Sequence, residues 1–247
     1  MDSGESCDDG NDISGDGCSA TCSAESTPSL AVSIDKPAVT TELKTANMLV
    51  VTLTGGGGFS GNVNLTGSVL DAANAPIPGW TIAFSQASVA VPASGSVTAV
   101  ATLTIPAQNR GLLGTVKIDV ASTLGTESIT STVTVLNQVT FTVDIVNGQC
   151  VYPTDGGTGA ATVPVALGTK VRFFNKGGAN LEIHSNNIAA IPHQGQVNGT
   201  DDPITESQSA YERTLGGTVG GNVNWYCHAP GPNLQGGNPT IRIAAAP

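Results

Sequence analysis

From residue 28 onward the hydrophobic residues come in short alternating runs broken by Gly, Pro, Ser and Asn, and this pattern constrains the fold more than any other feature of the chain. Alternation with a period of two turns one face of a strand inward and leaves the other polar. The runs are Leu30–Ile34, Met48–Leu53, Val63–Leu65, Trp80–Phe84, Val97–Ile105, Thr115–Val120 and Ile129–Val135, separated by turn clusters such as Gly55–Gly58 and Pro76–Gly79. A second series follows at Val139–Ile145, Ala161–Val165, Lys170–Lys176, Ser209–Arg213 and Thr240–Ile243. Charged residues make up only 11% of the 247, and helix formers such as Lys, Glu and Leu are scarce, so no segment competes as a helix. The expectation is an all-β chain of two β-sandwiches behind a small Cys-rich segment, divided at 1–27, 28–136 and 137–247.

Charge excludes several partners. The formal net charge is −10, and the nine Lys and Arg residues form no cluster. Nucleic acid and anionic membrane surfaces both demand concentrated positive charge, so neither is an expected partner. No run approaches the ~20 apolar residues of a membrane span. The chain starts with the polar, acidic Met1-Asp2-Ser3-Gly4 rather than a signal peptide. Because the remainder reads as exported, Met1 is taken as an added start on a processed chain, or on one cut from something longer. Catalysis is not expected: Ser185 beside His184 is no triad, and no glycine-flanked Ser elbow is present. The sequons at Asn64 and Asn198 arise readily by chance in a Ser/Thr-rich chain.

The five Cys residues are unevenly placed, with Cys7, Cys18 and Cys22 crowded at the start and Cys150 and Cys227 far apart. The cluster points to an oxidising compartment. Residues 1–27 hold almost nothing apolar, so only cross-links or bound ions could order them. Asp8, Asp9, Asp12 and Asp16, on Gly-permitted turns, are hard oxygen ligands of the kind that hold calcium; the plainer reading is a solvated acidic turn held by disulfides. The string Cys7-Asp8-Asp9-Gly10-Asn11, then Gly15-Asp16-Gly17-Cys18-Ser19, then Cys22, resembles the myxobacterial disulfide-rich repeat, lacking one Cys upstream. The middle segment has no His and no Cys. Its Phe59-Ser60-Gly61 and Gly79-Trp80 resemble the bacterial Ig-like modules of exported proteins, which implies a structural spacer with Trp80 in the core.

The third segment carries the chemistry. All three His residues, at 184, 193 and 228, fall there with Cys227. Imidazole and thiolate together select copper or zinc. Trp225-Tyr226-Cys227-His228-Ala229-Pro230-Gly231 enters a Pro/Gly loop, and the closing strand Thr240–Ile243 follows. With the earlier Phe173-Phe174-Asn175-Lys176 and His184, this segment resembles the cupredoxins, a copper-binding Greek-key sandwich family. The resemblance places His184 and Cys227 at copper-ligand positions, while the family's second His falls on Pro232 and its axial Met on Gly237. His193, nine residues past His184, is the better substitute imidazole. His228 is less suited, because strand neighbours face opposite sides and it should turn away when Cys227 faces the metal. Gln235 or a backbone carbonyl beside His184 would take the axial place.

Cysteine parity leaves two schemes open. Cys227 binds metal and Cys150 pairs with the N-terminal cluster, or Cys150 bridges Cys227 and three Cys remain. The resemblance implies an exported bacterial copper protein (secreted, periplasmic or at the cell surface) that transfers electrons or handles copper with a redox partner, or with a copper donor or acceptor. The alternative is a metal-free structural or adhesive extracellular protein that keeps only the fold.

Overall fold

The computed structural model describes residues 7, 18–21, 23–107, 112–152, 161–192, 208–228 and 238–245. Among them there is no helix, and so none long and apolar enough to cross a membrane. The chain is all-β, with four sheets that pair into two sandwiches. The first sandwich is built from β1 (Ser29–Ile34), β2 (Ala38–Glu42), β3 (Thr45–Gly56), β4 (Gly61–Leu70), β5 (Thr81–Phe84), β6 (Ser88–Val91), β7 (Ser96–Ile105), β8 (Leu113–Ser122) and β9 (Gly125–Leu136). One sheet runs β1-β3-β7-β5 and the other β2-β9-β8-β4-β6. The alternation does what the sequence requires: Leu49, Val51 and Leu53 of β3 face Val116, Ile118 and Val120 of β8 across the core, and all six are buried.

Trp80 is 6% exposed and belongs to that core. It packs where β8 carries Gly114, whose position leaves no room for a side chain: a Cβ there would lie 3.0 Å from both Ile77 Cδ1 and Trp80 Cζ3. Two short strands, β2 and β6, are additions to the runs read from the sequence, and the second sandwich adds two more, Gln149–Val151 and Glu182–Ser185.

The second sandwich comprises β10 (Gln138–Val146), β11 (Gln149–Val151), β12 (Thr162–Ala166), β13 (Lys170–Asn175), β14 (Glu182–Ser185), β15 (Ala210–Thr214), β16 (Asn222–His228) and β17 (Thr240–Ala244). Its sheets run β11-β10-β13-β15 and β12-β17-β16-β14, with parallel pairs β10·β13 and β12·β17 among antiparallel ones. Asn147-Gly148, both at positive φ, form the two-residue turn that fixes the β10–β11 register and sets Ile145 opposite Cys150. Trp225 stands at the centre of this core, 4.6 Å from the Phe173 ring, 5.1 Å from Tyr152 and 5.4 Å from Phe141, each pair at a steep interplanar angle.

A single residue, Asn137, separates β9 from β10. Its neighbourhood is tied on both sides. Leu43 N–H donates to the Gln138 carbonyl, and Lys170 N–H donates to the Asn137 carbonyl, each at 3.0 Å. Parallel pairing sets Glu42 beside Leu136 at the end of β9, so its carboxylate reaches across the junction to accept from Gln138 Nε2 and Thr140 Oγ1. The Lys44 ammonium lies 5.0 Å from the Phe141 ring centre.

At the far edge of the second sandwich Tyr211 of β15 is largely buried, and its hydroxyl donates to the Pro192 carbonyl at 2.6 Å. Burial pushes its phenol above the ordinary value of 10.0, against the opposing pull of Arg213. A folded-state value raised above the unfolded one means that the unfolded chain ionises first. The stabilising contribution is therefore complete below pH ~10 and falls away as pH rises through the alkaline range. Alkaline denaturation curves should accordingly be shallower above pH ~10 for Tyr211→Phe than for the parent chain, while the two run parallel near neutrality.

Candidate functional site

Pairing of β14 with β16 decides which side chains meet. The register is Glu182↔His228, Ile183↔Cys227, His184↔Tyr226 and Ser185↔Trp225. Directly opposed residues share a face and neighbours alternate, so Ile183, Ser185, Trp225 and Cys227 point into the sandwich. Glu182, His184, Tyr226 and His228 form the other face. Their burial follows suit: the first group is buried, and the second is intermediate.

Cys227 is fully buried (0% exposed) and bonded to Cys150 across the two sheets, with Cα atoms 6.1 Å apart. This corrects the expectation that Cys227 and His184 ligate one ion. A sulfur held in a disulfide has no thiolate to give, and His184 lies on the opposite face of the sheet. Of the two cysteine schemes, the bridge between Cys150 and Cys227 is the one present. At the N-terminus Cys7 pairs with Cys18. Cys22, the carboxylates Asp8, Asp9, Asp12 and Asp16, and the candidate ligands His193 and Gln235 lie outside the described residues.

His228 turns away from Cys227, as alternation requires, and this brings it beside His184. The two imidazole centres are 5.6 Å apart at 71°, and His184 stacks on Tyr226 at 5.2 Å and 13°. His184 Nε2 lies 3.3 Å from Glu182 Oε2. One ligand atom from each of Glu182, His184 and His228 falls within 4.8 Å of the other two. Glu182 is not among the candidate ligands expected from the sequence. The signal that would have found it is the Glu-x-His spacing, which puts both side chains on one face of a strand.

No family model and no curated protein matches the chain. Among solved structures it is similar to domains 4 and 5 of the S-layer protein SbsC at 16% identity and a TM-score of 0.32, covering 44% of this chain and 53% of that one. The chain therefore spans about half the length of that fragment. The Salmonella enterica SafA pilin in complex with the SafB chaperone (11% identity, 84% and 92% covered, TM-score 0.30) and the Escherichia coli chaperone DraB (10%, 87% and 97%, 0.31) also match. At these scores the likenesses carry no argument about function.

Proposed function

We propose that the chain is an extracellular structural protein whose two sandwiches form a stiff spacer that presents its surfaces at fixed separation. The observation that carries this reading is the junction. One residue links the sandwiches, and Glu42, Leu43 and Lys44 engage Gln138, Thr140 and Phe141 directly across it. A linker this short and this tied leaves little hinge freedom. Two disulfides suit an oxidising compartment, which supports placement outside the cytoplasm.

Small-angle scattering tests the reading. The parent chain should fit one elongated conformation, and a variant with a five-residue Gly/Ser insertion after Asn137 should fit only a broad ensemble. A parent chain as heterogeneous as the insertion variant would overturn the spacer.

The copper electron-transfer reading implied by the cupredoxin resemblance needs Cys227 as a thiolate, and the bond to Cys150 counts against it. The two readings separate in one spectrum. An intense visible thiolate-to-copper band on adding Cu(II), absent in Cys227→Ser, would restore the copper reading; its absence supports the spacer.

A further inference from the structure

We propose that Glu182, His184 and His228 form a binding site for one borderline divalent transition-metal ion, of the Zn²⁺ or Cu²⁺ class, on the outward face of the β14–β16 ladder. This goes beyond the spacer reading, which requires no metal, and it differs from the site implied by the sequence in containing no sulfur.

The geometry is specific. Strand register places Glu182 directly opposite His228, and His184 diagonally across from it, so all three converge on one point of the ladder. Ligands about 2.1 Å from a tetrahedral zinc ion stand about 3.4 Å apart. Glu182 Oε2 and His184 Nε2, at 3.3 Å, already hold that separation. The remaining nitrogen, on His228, lies within 4.8 Å of both. The carboxylate and the first imidazole are not free-swinging surface groups: the Glu182 and His184 side chains are 13% and 20% exposed. Tyr226, stacked flat on His184, fixes the plane of that ring, as partners outside the ligand set of a metal site do.

Donor chemistry sets the class of ion. Two imidazoles and one carboxylate suit zinc, copper(II) or nickel, whereas calcium and magnesium require an all-oxygen shell that this face does not offer. Three protein ligands leave a fourth position for water or an outside group. Cys227 lies on the opposite face, so an ion here does not touch the disulfide.

The test uses the full chain with its disulfides intact. Zn²⁺ titrated calorimetrically should bind at one ion per chain. His228→Gln, His184→Gln and Glu182→Gln should each weaken it by about 100-fold, while a large excess of Mg²⁺ or Ca²⁺ should not compete. His228→Gln is the decisive variant, because its side chain is not part of the core and its thermal unfolding should match that of the parent without metal. Cu²⁺ provides a second readout: an electron paramagnetic resonance signal of a tetragonal nitrogen/oxygen site, with only weak visible absorption, that is lost in His228→Gln. No saturable Zn²⁺ binding to the parent chain, or binding that His228→Gln leaves unchanged, would overturn the site. An intense thiolate band would place copper at Cys227 and overturn it equally.

Discussion

Replacing Cys150 and Cys227 together by alanine is expected to lower the stability of the second sandwich by about 4 kcal/mol. The bond closes a loop of 77 residues. In the chain-entropy account, stabilisation grows with the logarithm of loop length, and a loop of this size comes to ~4 kcal/mol. For a domain of ~100 residues each kcal/mol shifts the melting temperature by ~4–8 °C, so a fall of ~15–30 °C is expected. Calorimetry of the double variant beside the parent measures it. The first sandwich, which has no cysteine, should melt as before in the same trace. A double variant that melts with the parent would mean that the two sulfurs are not joined, and would reopen Cys227 as a thiolate.

Trp225→Ala should destabilise by a similar amount, ~3–5 kcal/mol, for a different reason. The indole is 1% exposed and stands among Phe141, Phe173 and Tyr152, so truncation removes its transfer energy, opens a cavity and breaks three edge-on ring pairs of ~0.5–1.5 kcal/mol each. Trp225→Phe should behave quite differently. The indole N–H has no acceptor among the described residues, so phenylalanine removes an uncompensated buried donor while keeping most of the ring. Denaturant midpoints at constant slope would show the alanine variant far below the parent and the phenylalanine variant close to it. Equal losses in both would mean that the indole is held by a partner outside the described residues.

The fold was legible because period-two alternation is a local property, and β3, β7 and β8 could be read residue by residue. Strands β2, β6, β11 and β14, three to five residues long, were not read, whereas β5, of four, was readable because the Pro76–Gly79 turn cluster marks its start. Within β10–β11 the sequence signal is Asn147-Gly148, the residue pair that a two-residue hairpin turn favours.

The site was half legible. Alternation alone turned His228 away from Cys227 correctly. The same rule says nothing about His184, whose face depends on register with a strand some forty residues later. The pairing of Ile183 rather than His184 with Cys227 sends the imidazole outward, and a slip of one residue would have sent it inward. The disulfide was equally beyond reach: parity left two schemes, and only the meeting of β11 with β16 across the core selects between them.

The junction also determines how load would travel between the two halves. β9 is held by β8 over Gly125–Thr134 and by β2 over Thr132–Leu136, and β10 by β13 over Gln138–Val143 and by β11 over Asp144–Val146. A pull along the chain through Asn137 therefore runs parallel to four ladders. Their hydrogen bonds must slide together instead of opening one at a time, so such a molecule resists tension along its axis far better than peeling from a strand edge.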